Sequence, residues 1–126
     1  MIRLLFCALA IGAVACCADK DGERFFDDRV APILTKNCVA CHNHELDDGD
    51  LSFENRDSLL KERGGRGAAI VPGDPGKSVL VRVIRHDGDV QMPPGKKLPE
   101  SDIAVLTHWI EQGAPWGTKL RDAHER

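Results

Sequence analysis

The chain is poor in the features that most often hold a small protein together or assign it a partner. Of its five cysteines, Cys7, Cys16 and Cys17 sit in or beside an N-terminal apolar stretch, which leaves Cys38 and Cys41 for the body of the protein. Two cysteines make no disulfide framework. Seventeen Lys and Arg against twenty Asp and Glu give a formal net charge of −3, so the strongly basic face that nucleic-acid binding requires is missing. The apolar run Leu4–Val14 is too short to span a bilayer, which takes roughly twenty residues. Methionine is almost absent: apart from Met1 there is only Met92. At 126 residues the chain suffices for one domain with a limited core.

The beginning of the chain has the form of an export signal. Arg3 supplies a small positive region, Leu4–Val14 is broken only by Gly12, and Ala13-Val14-Ala15 offers a small-x-small cleavage pattern. Residues 1–18 are therefore expected to be a signal peptide, and the protein to be periplasmic or membrane-anchored facing the periplasm. Val14-Ala15-Cys16 loosely matches a lipoprotein box, with Ala13 where Leu is usual. Lipid anchoring through Cys16 or Cys17 stays open beside soluble export.

The most informative stretch is Cys38-Val39-Ala40-Cys41-His42. Two thiols three positions apart, followed at once by an imidazole, form the attachment signature of a c-type haem. On one turn of helix the two sulfurs can each form a thioether to one haem vinyl group, and His42 then reaches the iron through Nε2. Two other chemistries use such cysteines. A disulfide oxidoreductase needs the pair at a helix start after a strand, in a βαβ context, whereas here an amphipathic pattern precedes it. A zinc site through Cys38, Cys41 and two histidines would have to use His42 and His44, which lie too close for the usual paired spacing.

Around the motif the pattern is helical. Residues 19–24 read as a polar leader, after which Phe26, Val30, Ile33 and Leu34 recur at three- and four-residue spacing up to Cys38. Pro32 lies inside this run, so the helix either kinks there or starts near Arg29. Asn43–Asp50 is acidic, with Asp47, Asp48 and Asp50, but lacks the twelve-residue calcium pattern. Leu51, Phe53, Leu59 and Leu60 suggest an extended piece followed by a short helix. Residues 61–67 form a flexible basic loop, either a solvated turn or a source of donors for haem propionates. Gly73-Asp74-Pro75-Gly76-Lys77-Ser78 imitates a phosphate loop, but Val71 stands where its opening glycine belongs. Asp74 and Pro75 instead suit a helix start, making 78–85 a short helix with Arg82 and Arg85 as candidate propionate partners. Pro99 opens a last helix with Glu100 and Asp102 in its first turn, Ile103, Leu106, Trp109 and Ile110 on its apolar face, and Gly113 at its end. Residues 118–126 read as a charged tail that does not pack.

A haem iron held by one histidine needs a group on its other face, and methionine is the usual one in electron-transfer c-type sites. Met92 is followed by Pro93-Pro94, which stiffens the backbone that would present the thioether. His86 is its rival. His44 is too close to His42 to reach the opposite face, His108 falls on the polar side of the last helix, and His124 lies in the tail.

Taken together, these blocks resemble class I cytochrome c, and more narrowly the planctomycete-type cytochrome c domain. The resemblance rests on Val30-Ala31-Pro32-Ile33-Leu34 ahead of Cys38–His42, Ile70–Pro75, Ser78–Arg82, Met92-Pro93-Pro94, Lys97-Leu98-Pro99 and Trp109–Trp116. It spans roughly Phe25 to Trp116, within an expected domain over residues 25–117. It implies an all-α class I cytochrome c fold whose N- and C-terminal helices cross beside a covalent haem, with Phe26 and Trp109 at the crossing. It also implies one haem c, with His42 and Met92 as axial ligands. The family's domain commonly heads a longer chain, and nothing of those further domains carries over. The segment Asn43–Asp50 is also more acidic than is usual after the Cys-His pair.

The expected function is one-electron transfer rather than enzymatic turnover. An acidic surface calls for a redox partner with a basic docking patch. A haem sensor or peroxidase-like protein in which Met92 is displaced is the other haem reading.

Overall fold

Proline in the middle of a helical pattern sets the shape of the first long element. A computed structural model of the chain describes residues 14–46 and 50–120, with side chains from residue 19 onward. Residues 1–13, with most of the expected signal peptide, lie outside the described residues, as do Asp47, Asp48 and 121–126.

Helix α1 (Val14–Phe25) runs into a π-helical turn (Phe26–Val30) and then into α2 (Ala31–Asn37). Pro32 has no N–H for the carbonyl four residues before it, and its ring would press on that carbonyl. The turn widens instead, with the Ala31 N–H donating to the Phe26 carbonyl, which keeps the helix continuous where a kink was one expectation. The polar residues 19–24 are helical too, so the helix does not begin at Phe25. What holds this segment is visible at Gly22, where an added Cβ would lie 2.8 Å from Pro115 Cβ.

Short helices follow, each with a local cause. In α3 (Arg56–Leu60) the Asn55 side chain caps the start by accepting from the Asp57 N–H. Asp74 accepts from the Lys77 N–H at 3.1 Å and opens a 3₁₀ turn (Pro75–Lys77), after which α4 (Val79–Ile84) begins separately. Buried Ser78 joins the two by donating to the Asp74 carbonyl at 2.9 Å and accepting from the Val71 N–H at 2.9 Å. Helix α5 (Glu100–Glu111) starts after Pro99 and ends ahead of Gly113, whose φ of 91° suits glycine. No strand occurs among the described residues, and no helix among them is long and apolar enough to cross a membrane.

The π turn packs on α5, so the N- and C-terminal helices are in contact as expected. Phe26, Val30, Leu34, Leu106, Trp109 and Ile110 are fully buried there, each worth about 1.5–3 kcal/mol for the aliphatic and phenyl side chains. The exit from α5 is fixed as well: Trp109 Nε1 donates to the Pro115 carbonyl at 2.7 Å, and Arg56 Nε donates to the Ala114 carbonyl at 2.9 Å. The first residues of the expected tail also pack. Thr118 and Lys119 donate backbone N–H groups to Asp27, and Leu120 is buried.

Candidate functional site

The Cys38–His42 segment forms one turn directly after α2. Cys38 and Val39 both donate backbone N–H groups to the Leu34 carbonyl, at 2.8 and 3.0 Å, and His42 donates to the Cys38 carbonyl at 3.0 Å. Asn43 fastens the end of the turn, its Nδ2 donating to the Val39 carbonyl at 2.8 Å while its Oδ1 accepts from the Leu46 N–H at 2.8 Å. Sequence reasoning missed that staple, although an Asn just past a helical turn is a usual local capper. It also missed the support of His42 by Phe53, whose ring centroid stands 5.8 Å away and whose N–H donates to the His42 carbonyl at 2.9 Å.

The turn opens onto an apolar cavity of about 150 Å³. Cys38, Cys41 and His42 line it from one segment, and Met92, Pro93 and Pro94 from another, with Phe53, Leu80, Val83 and Ile84 among its walls. Met92 is held there through its backbone, its N–H donating to the Val83 carbonyl at 3.0 Å. A wider cleft of about 720 Å³ continues from it, sharing His42, Leu51, Ala69, Val79, Val83 and Met92 and adding Arg63, Arg66 and Arg82. Ligand sites run to roughly 300–1,000 Å³, so the narrow cavity and its mouth together have the size for a large planar group.

His42 Nδ1 is buried with no hydrogen-bond partner among the described residues. The imidazole stands in the cavity wall, with no described residue hydrogen-bonded to that nitrogen. Cys38 is buried enough that its thiol is pushed up to about 12, which closes thiolate chemistry to it at neutral pH. Among the described residues no three His, Cys, Asp or Glu side chains group as a metal site. Apolar walls, two thiols, one imidazole and one thioether fit a haem bound by both sulfurs.

Of the two arginines expected near propionates, the structure brings only Arg82 to this site. Arg85 is the C-cap of α4 and lines a separate cleft with Lys97, Glu100, Ile103 and His108. His86 lines neither the cavity nor its mouth. His44 Nδ1 lies 2.7 Å from Glu54 Oε2, and His108 is exposed on α5 with its ring 5.5 Å from that of Phe25.

The model of the family described as Planctomycete cytochrome C matches residues 38–96 of the chain. That stretch begins at the first cysteine of the motif and includes Met92. No curated protein and no solved structure matches the chain.

Proposed function

Residues 38–96 belong to the planctomycete cytochrome c family, whose chemistry is haem-based electron transfer, and on that premise we propose a carrier whose single haem c has His42 and Met92 as axial ligands. The observation that carries the ligand assignment is that both side chains line one cavity together with Cys38 and Cys41.

Bound there, a haem c supplies one-electron exchange between Fe(II) and Fe(III). Cys38 and Cys41 would hold it as thioethers, so that neither remains a free thiol. His42 would offer Nε2, kept in place by the preceding turn and by Phe53. Met92 would offer its sulfur, a soft ligand that favours the reduced iron and raises the potential relative to a second histidine. Leu80, Val83 and Ile84 exclude water from the inner cavity, which raises the potential further by penalising the extra charge of the oxidised state. The contact of the π turn with α5 keeps α2 and the motif rigid, so little reorganises when the electron moves.

Export through residues 1–18, with or without an anchor at Cys16 or Cys17, would bring the chain to the compartment where c-type haem is attached. The net charge of −3 favours a redox partner with a basic patch and an association rate that falls with added salt.

The ligand assignment is tested on protein matured with haem. Met92→Ala should remove the weak red absorption of a sulfur–iron(III) bond and lower the midpoint potential, whereas His86→Ala should change neither. Persistence of the band in Met92→Ala, or its loss in His86→Ala, contradicts the assignment. Rapid carbon monoxide binding by the reduced wild type would favour a sensor or peroxidase-like protein instead.

A further inference from the structure

The geometry points to Arg66 and Arg82 as the pair of guanidiniums that hold the two haem propionates in the mouth of the site, an inference that rests on the haem reading above. The mouth is cationic: among the described residues its lining has Arg63, Arg66 and Arg82 against the single carboxylate of Asp89, with His42 at its inner end. A haem edge carrying two carboxylates is the complementary charge.

The three arginines are not equivalent. Arg63 is already used, with Nη2 donating to the Ser58 and Asp50 carbonyls at 2.6 and 2.7 Å, Nε to Asp50 at 3.0 Å and Nη1 to the Lys61 carbonyl at 3.0 Å. It clamps the loop. Arg66 and Arg82 are exposed and make no side-chain hydrogen bond or ion pair among the described residues. A free guanidinium presents a planar fork of donors, never loses its charge and matches a carboxylate in two-point contact.

Both are placed for this by backbone. Arg66 sits between Gly65 and Gly67, whose φ values of 81° and 86° put the loop in a conformation that side chains disfavour. A Cβ on Gly67 would already lie 3.4 Å from Val79 Cγ2, so the loop rests against the first turn of α4. Arg82 stands one turn beyond Val79 on that helix. The chain contains no tyrosine, and the indole N–H groups of Trp109 and Trp116 donate to the Pro115 and Leu120 carbonyls.

Two fixed positive charges keep propionates ionised well below neutral pH, so the reduction potential should not follow pH there. The test measures midpoint potential from pH 5 to 8 on haem-loaded wild type, Arg66→Gln/Arg82→Gln, Arg66→Lys/Arg82→Lys and Arg85→Gln. Wild type, the lysine double variant and Arg85→Gln should give flat profiles. The glutamine double variant should fall below wild type at pH 8 and climb as pH drops and the propionates protonate. That climb should amount to roughly a three- to tenfold change in the Fe(III)/Fe(II) ratio at fixed potential, the scale of partly screened charge interactions. A glutamine double variant whose profile overlays that of Arg85→Gln overturns the clamp and leaves the haem reading intact. A wild type that takes up no haem overturns both.

Discussion

The ring of Phe26 lies 4.2 Å from that of Trp116 and 5.6 Å from that of Trp109, so the π turn and the exit of α5 close on a single aromatic cluster. Phe26→Ala would open a cavity where the N- and C-terminal helices meet. The expected loss is about 3–5 kcal/mol, read as a lower denaturation midpoint of the haem protein. Phe26→Leu should keep most of the stability, because it fills more of the same space.

Asp27, next in the chain, reaches 91 residues onward to accept from the Thr118 N–H at 2.9 Å and the Lys119 N–H at 3.0 Å. Gly117 makes room for that carboxylate, since a Cβ there would collide with it. Gly117→Ala should cost about 1–3 kcal/mol by overpacking. Adding Asp27→Ala should recover part of this, so chemical denaturation should give a double-variant loss smaller than the sum of the two singles.

Lys61 donates to Asp50 Oδ2 at 2.7 Å, and this hydrogen bond, helped by the charge of Lys61, holds the Asp50 carboxyl below its ordinary value. A depressed carboxyl stabilises the fold at pH above its unfolded value of about 3.9. That contribution disappears as pH falls through the lower folded value. Lys61→Ala should return the Asp50 titration, followed by side-chain NMR, toward the ordinary range. A variant whose Asp50 titrates as in wild type would contradict the pairing.

Removing one sulfur at a time separates the roles at the motif. Cys41→Ala, or Cys38→Ala, should leave protein with one thioether and one unsaturated vinyl group, seen as a shifted band of the reduced protein. The double variant should lose its haem on denaturation and extraction. His42→Ala should retain both thioethers where haem is incorporated, but lose the strong-field spectrum of the reduced state.

Much of this was legible in the sequence because its causes are local. Asp74 with Pro75, Pro99 with Gly113, and the Cys38–His42 spacing each specify their own turn, and the structure places them so. The meeting of Phe26 with Trp109 was legible through the resemblance to cytochrome c. What could not be read depends on distant partners. Residues 19–24 look like a leader until Gly22 is seen against Pro115, and residues 118–120 look like a tail until Asp27 is seen to hold them. Arg82 and Arg85 are three apart and chemically alike. Only the fold shows that Arg82 lines the wider cleft beside His42 and Met92 while Arg85 lines a separate one. Arg66 was legible only as one cation of the basic loop 61–67, whose course is set by its glycines.

Whether Cys38, Cys41 and His42 hold a covalent, redox-active haem is measured most directly by the visible spectrum of the chain expressed with c-type maturation. It should be recorded oxidised and reduced, then again after denaturation and solvent extraction. A covalent haem should give sharp bands on reduction and colour that stays with the denatured polypeptide. A colourless chain, or haem that extracts away from it, would contradict covalent attachment at Cys38 and Cys41.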